Sequence, residues 1–275
     1  MNKTAIFKVG GDILLSEPQW RGLGASLSYL HKLGWRCVVL HGGGPQVNLL
    51  QTSLGITPNK VAGRRITSEE DLLQVKQAIV GEVNVKLCNY LQLYNLSVLG
   101  THGATGLIRA SKRPPIEVSG VDGLVDFGSV GDVNQINTTL LDLLLDANFI
   151  PVIATLARNN TGDIFNINAD TTAVAIARAM KADLLAMVTG IGGIYRDIDD
   201  ADSLIKTIDA GTAAQLIEEG VITDGMIAKV QEALNVVDDG VGQVVITSMA
   251  REGNMKSLIT SPESYEAGTR IIGKN

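Results

Sequence analysis

Two lysines, one aspartate and two runs of glycine are the residues of this sequence whose types and spacing point to chemistry. Lys8 lies inside an otherwise apolar run, TAIFKV, just ahead of Gly10-Gly11. A lysine in such a run needs a partner for its charge. His41-Gly42-Gly43-Gly44-Pro45 closes a second apolar run, RCVVL. Glycine after a strand lets backbone N–H groups approach an anion with no Cβ in the way, and a following helix adds its positive end. Pro45 then stands at an expected first helical position, where its missing N–H costs nothing. Asp170 lies in NINAD and Lys229 in ITDGMIAKV, one helical turn beyond Gly225. Two cations, a carboxylate to position them and two N–H clusters suit phosphoryl transfer, which needs charge stabilisation and alignment more than covalent chemistry. The competing reading of the same residues is structural, with tight strand-to-helix turns and lysines in core ion pairs. Spacing alone leaves both open.

Other chemistries fare worse. No GxxxxGK[ST] loop occurs, and Gly190-Ile191-Gly192-Gly193 does not continue as GxGxxG. Asp126-Phe127-Gly128 spells the protein-kinase tripeptide, but no HRD sequence precedes it, so it reads as a decoy. His31, His41 and His102 lack the close spacing of a zinc site, and His31 is expected at a helix surface. Cys37 and Cys88 form no CxxC pair and read as reduced, mostly buried thiols.

The elements that must position these residues alternate between short β-rich runs and helical patterns. Strands are expected at residues 4–9, 36–40, 97–100, 149–155, 183–188 and 243–247. Helices are expected at 20–33, from about 67 to 94 behind a Thr67…Glu70 capping box, at 134–146, from Asn168 to 180, at 212–219 and at 225–237. Strands separated by helix-length segments imply parallel βαβ units and a sheet covered on both faces. Residues 108–127 are the exception; rich in Pro, Gly and short β pieces, they read as a hairpin excursion or lid. At 275 residues with 45% hydrophobic content, the chain can bury a large core. Its 23 Lys and Arg against 29 Asp and Glu, with 4% aromatics, argue against nucleic acid or an anionic membrane as partner. Lys3, Lys8 and Asp12 interrupt any signal-peptide core, and no apolar run is long enough to span a bilayer, so a soluble cytoplasmic protein is expected.

Over nearly its whole length the sequence resembles the amino-acid kinase family. The resemblance is carried by Lys8-Val9-Gly10-Gly11, His41-Gly42-Gly43-Gly44-Pro45, Gly63-Arg64-Arg65-Ile66-Thr67, Asn166-Ile167-Asn168-Ala169-Asp170, Ile222-Thr223-Asp224-Gly225-Met226 with Lys229, and Gly268-Thr269-Arg270-Ile271. Each is weak alone; their order and spacing together are specific. The resemblance implies an α/β, three-layer αβα sandwich with a mostly parallel central sheet. It implies a substrate and dimerisation lobe over about 1–157 and an ATP-binding lobe over about 158–275. The implied reaction is ATP-dependent phosphorylation of the side-chain carboxylate of N-acetyl-L-glutamate to an acyl phosphate, a step of arginine biosynthesis. The same transfer to a related N-acylated or carrier-linked aminoadipate or glutamate is the runner-up, and a non-catalytic amino-acid sensor is the third reading.

Carried over residue by residue, Lys8 and Lys229 would stabilise the transferring phosphoryl group and Asp170 would orient both. Gly11 and Gly44 would donate backbone hydrogen bonds to it. Gly44, Pro45, Arg65 and Asn166 would bind the acceptor, with Arg65 on its α-carboxylate. Met187, Val188, Thr189, Gly190, Ile191 and Gly192, with Val221, Ile222 and Thr223, match the ATP-binding segments. Mg²⁺ would arrive with the nucleotide, no metal being held by the protein itself. A γ-carboxylate is ionised at neutral pH, so no general base is required.

The sequence departs from the family in three places. The family aspartate of a TDVxG-like segment is missing from Ala186-Met187-Val188-Thr189-Gly190, and Met187 is expected to loosen nucleotide selectivity. Gly103-Ala104-Thr105-Gly106-Leu107 replaces a GKDGG loop without its charged pair, and the excursion at 108–127 is atypical. Arginine-inhibited members carry an extra N-terminal helix that joins dimers into hexamers. Here only Met1–Lys3 precede the first strand, so the expectation is a homodimer built on the long helix and indifferent to arginine.

Overall fold

The computed structural model describes residues 2–118, 120–251 and 253–273. The apolar runs form one eight-stranded sheet. In chain order its strands are β1 (Thr4–Val9), β2 (Arg36–His41), β3 (Val98–His102), β4 (Ile150–Ala154), β5 (Leu184–Val188), β6 (Thr207–Ile208), β7 (Val244–Thr247) and β8 (Gly268–Ile271). Across the sheet the order is β6-β8-β7-β5-β1-β2-β4-β3. Pairing is parallel except between β7 and β8. β1 lies at the centre, with Lys8 level with Leu40 on β2 and Met187 on β5.

Side chains alternate across the sheet, as the period of two requires. Ile6, Val38, Leu40, Ile153, Leu185, Met187 and Ile246 pack on one face against the helix Ala169–Met180 and residues of Asp224–Asp238. Ala5, Phe7, Val39, Leu184 and Val245 pack on the other against Glu17–Lys32, Val85–Gln92 and Asn254–Thr260. Helices therefore cover both faces, giving the three layers expected. Beside the sheet, Leu156–Arg158, Ile164–Ile167, Val130–Ile136 and Ile108–Lys112 close a small barrel, and Ile116–Glu117 pairs with Leu124–Val125 as a hairpin inside the excursion.

Three expectations need correction. The helix placed at 134–146 starts later: Val130–Ile136 is a barrel strand, and Asn137 caps Thr138–Asp146 by accepting from the Leu140 N–H at 3.2 Å. The capping box is one residue further along. Ser68 accepts from the Asp71 N–H at 3.0 Å, and the Asp71 carboxylate accepts from the Ser68 N–H at 3.0 Å. The long helix behind it is not uniform: a π-helical stretch, Gln77–Asn84, joins Glu69–Lys76 to Val85–Gln92. Phe127 of the kinase-like tripeptide is buried, and Thr67 donates its N–H to the Phe127 carbonyl, so that tripeptide serves packing.

Candidate active site

The residues picked out by type and spacing meet at the carboxyl ends of β1, β2 and β5, the edge where open α/β sheets bind ligands. Lys8, near the carboxyl end of β1, points toward the helix Ala169–Met180, whose first turn carries Asp170. Its Nζ lies 2.8 Å from Asp170 Oδ1. Lys229, from the helix Asp224–Asp238, approaches the other carboxylate oxygen at 3.7 Å. One carboxylate thus faces two ammonium groups, with the Lys8 side chain 11% exposed and that of Lys229 40% exposed. Asn168 holds Asp170 in place, because its side-chain oxygen caps the helix by accepting from the N–H groups of Asp170 (2.8 Å) and Thr171 (3.1 Å).

Gly10-Gly11 and Gly42-Gly43-Gly44 sit against each other. A Cβ on Gly11 would lie 2.6 Å from Pro45 Cδ and 3.1 Å from Gly43 Cα, so only glycine lets the two loops approach this closely. Gln46 fastens them by donating Nε2–H to the Gly11 carbonyl at 2.8 Å. Gly44 opens the helix Gly44–Ser53 and faces open space, leaving the first-turn N–H groups available to an anion.

Below this loop His41 is fully buried. Its Nδ1–H donates to the Gly42 carbonyl at 2.8 Å, and its Nε2 accepts from Asn84 Nδ2 at 2.8 Å. Burial lowers the His41 pKa to about 4, so the ring is neutral at pH 7, in the tautomer this network requires. Asn84 ends the π-helical stretch and also donates to the carbonyls of Val152 (2.8 Å) and Thr101 (3.3 Å), tying together β2, β4 and β3. Sequence reasoning missed Asn84, since nothing nearby in the chain marks it.

Arg65 stands on the two-residue strand Arg64–Arg65 and reaches back to the helix Gly44–Ser53. It donates to the side-chain oxygens of Asn48 and Gln51 and, at 3.4 Å, to the Gly44 carbonyl. Asn48 and Gln51 share a helix face with Gly44; that spacing was the available signal for them. Partial burial pulls the Arg65 pKa below its ordinary value, yet no carboxylate lies within 4.0 Å of the guanidinium among the described residues. Asn166 donates to Thr67 Oγ1 at 3.2 Å, which links the barrel to the Arg65 segment.

The nucleotide segments divide. Thr189 to Gly192 run beyond the end of β5, with the Gly192 N–H donating to Thr189 Oγ1 at 3.0 Å. Thr223 is exposed at the start of the helix Asp224–Asp238, while Val221 is half-buried and Ile222 is buried. Met187 and Val188 lie inside β5 at 3% and 0% exposure. The Met187 side chain packs in the core between the sheet and its covering helices, which leaves it little surface to offer a nucleotide. A cavity of about 570 Å³ lies elsewhere, on the barrel between Arg109, Lys112 and Asn160, and is lined by none of these groups.

A parallel sheet covered on both faces, two glycine loops at adjacent strand ends and two lysines on one aspartate define a phosphate-handling α/β protein. Residues 3–248 match the amino acid kinase family, and the chain belongs to it. It is 37% identical to acetylglutamate kinase of Anaeromyxobacter sp. (strain Fw109-5), over 98% of this chain and 100% of that one. It is 36% identical to acetylglutamate kinase of Methanopyrus kandleri, over 89% and 94%. Among solved structures it is similar to smu.665 from Streptococcus mutans UA159, with 27% identity, TM-score 0.76 and 99% of both chains covered. N-acetylglutamate synthase from Neisseria gonorrhoeae, solved with coenzyme A and N-acetyl-glutamate, superposes with TM-score 0.81 at 25% identity, over 99% of this chain and 60% of that one.

Proposed function

We propose that this protein transfers the γ-phosphoryl group of ATP to the side-chain carboxylate of N-acetyl-L-glutamate, releasing ADP and an acyl phosphate for arginine biosynthesis. The observation that carries this reading is the Lys8–Asp170–Lys229 cluster at the mouth of the paired glycine loops. In the reaction a carboxylate oxygen of the acceptor forms a bond to γ-phosphorus as the bond to the bridging oxygen breaks. Both reactants are anions, so repulsion is the main obstacle, and two preorganised ammonium groups offset it. Asp170 keeps Lys8 and Lys229 a fixed distance apart. The N–H groups of Gly11 and Gly44 suit the equatorial phosphoryl oxygens. Gly44, Pro45, Arg65 and Asn166 bind the acceptor; the Arg65 fork, oriented by Asn48 and Gln51, suits its α-carboxylate. Thr189–Gly192 and Val221–Thr223 flank the nucleotide.

Bound with the nucleotide, Mg²⁺ would add further charge neutralisation to that of Lys8 and Lys229. As a hard cation it keeps much of its water and needs no protein cage. The exposed carboxylate of Asp12, at the same strand ends, is an oxygen donor that suits such an ion. Among the described residues no helix is long and apolar enough to cross a membrane; a cytoplasmic location suits the ATP that this reading requires. Leu73 and Val85, exposed along the long helix, and Leu93, exposed just past its end, support a homodimer built on that surface.

A carrier-linked acceptor would want a basic rim near the excursion, for which Arg109, Lys112 and Arg113 are the candidates. Lys112 already pairs with Asp126 at 3.3 Å and Arg113 with Asp132 at 2.5 Å, which leaves Arg109, bonded to the neutral Asn160, and favours the small acceptor. The test is an ADP-release assay over a panel of acids. N-Acetyl-L-glutamate is expected to be the preferred acceptor; preference for an N-acylated aminoadipate would move the assignment to the runner-up. Ligand binding with no ADP release from any acid would favour the sensor reading.

A further inference from the structure

Asp12 follows Gly10-Gly11 and stands at the start of the short turn Ile13–Leu15, yet its carboxylate caps no N–H of that turn. It is directed to the end of β5, where Oδ2 accepts from the Gly190 N–H at 3.2 Å. Two glycines make room for it. A Cβ at Gly10 would lie 2.4 Å from Asp12 Oδ1, and a Cβ at Gly190 would lie 2.8 Å from Oδ2. Neither glycine has a positive φ, so space and not backbone freedom is what each provides.

The carboxylate therefore stands between the glycine loop of β1 and the nucleotide segment of β5, with Oδ1 unused by any hydrogen bond among the described residues. An exposed acid at an anion site repels a bare polyphosphate. The same acid is favourable when the polyphosphate carries a hydrated divalent cation, because Mg²⁺ takes one or two carboxylates together with phosphate oxygens. We infer that Asp12 supplies the carboxylate of this nucleotide site, and that its charge makes the site select MgATP over metal-free ATP. The inference rests on the nucleotide reading of the site.

Calorimetric titration of ATP into the purified protein, without acceptor, tests it. The titration is run once with excess Mg²⁺ and once with a chelator, and the ratio of the two dissociation constants is the readout. Asp12→Asn keeps the shape and can still accept from the Gly190 N–H, but it lacks the charge. The preference for MgATP is expected to fall about tenfold or more, the scale of one lost charge-assisted contact. Asp12→Gly combined with Gly190→Asp moves the carboxylate across the same gap and is expected to restore the preference. An unchanged ratio in Asp12→Asn, or a folded double variant whose ratio stays at the Asp12→Asn value, would overturn the proposal. A wild type that binds no ATP even with Mg²⁺ would overturn the nucleotide reading instead.

Discussion

At the residue scale, Arg65 and His41 show how environment turns side chains into tools. Arg65 is held by two neutral amide oxygens and a carbonyl, so its positive charge is oriented without being neutralised. Arg65→Lys keeps the charge but loses the planar fork. Its KM for N-acetyl-L-glutamate is expected to rise at least about tenfold while its KM for ATP changes little; equal losses for both substrates would place Arg65 wrongly. His41 is neutral by burial, with a pKa near 4 against about 6.5 when unfolded. Between those values the unfolded chain binds the extra proton, so stability is present above about pH 6.5 and is lost as pH falls toward 4. Denaturation at pH 7 and pH 4.5 should show the wild type losing roughly 2–3 kcal/mol more than His41→Gln. An equal loss in both proteins would remove His41 as the titrating group.

Elements differ in how plainly the chain announces them. β1, β2, β4, β5 and β7 were legible because each is a short apolar run between turn signals and helical patterns. Asn168 was legible as a cap for the same local reason. The barrel strand Val130–Ile136 was not, since Asp132, Asn134 and Gln135 break its apolar pattern and its partners lie far off in sequence. The capping box slipped by one residue because Thr67 and Ser68 can each cap, with Glu70 and Asp71 each three residues later. Of the candidate site, the lysines, Asp170 and the glycines were legible as residue types. Asn84, Asn48, Gln51 and the turn of Asp12 toward Gly190 were not, because each depends on a contact between separate segments. The cap at Asn168 carries a prediction of its own. Asn168→Ala should cost about 1 kcal/mol of stability, and should lower kcat by more than that loss explains, because the Asp170 backbone loses its anchor. A normal kcat in the folded variant would show that Asp170 needs no such support.

For the whole molecule, the sheet places charges from distant parts of the chain on one edge, and its outer surface leaves apolar side chains in water. Leu73 and Val85 on the long helix and Leu93 just past its end are 49%, 62% and 72% exposed, and Leu99 is exposed on the sheet-edge strand β3. A twofold contact there would cover them. Light scattering is expected to report a dimer, and Val85→Glu a monomer; a wild-type monomer would refute this surface as the interface. On the proposed reading Lys8, held by Asp170, stabilises phosphoryl transfer to the acceptor carboxylate. The most direct test of that role is trapping the acyl phosphate with hydroxylamine, using ATP, Mg²⁺ and N-acetyl-L-glutamate, in wild type and in folded Lys8→Ala and Lys229→Ala. The wild type should yield the side-chain hydroxamate of N-acetylglutamate, and each variant should form it roughly 100- to 1,000-fold more slowly, the scale of one lost preorganised donor. No hydroxamate from the wild type, or near-normal rates in either variant, would refute this role for the two lysines.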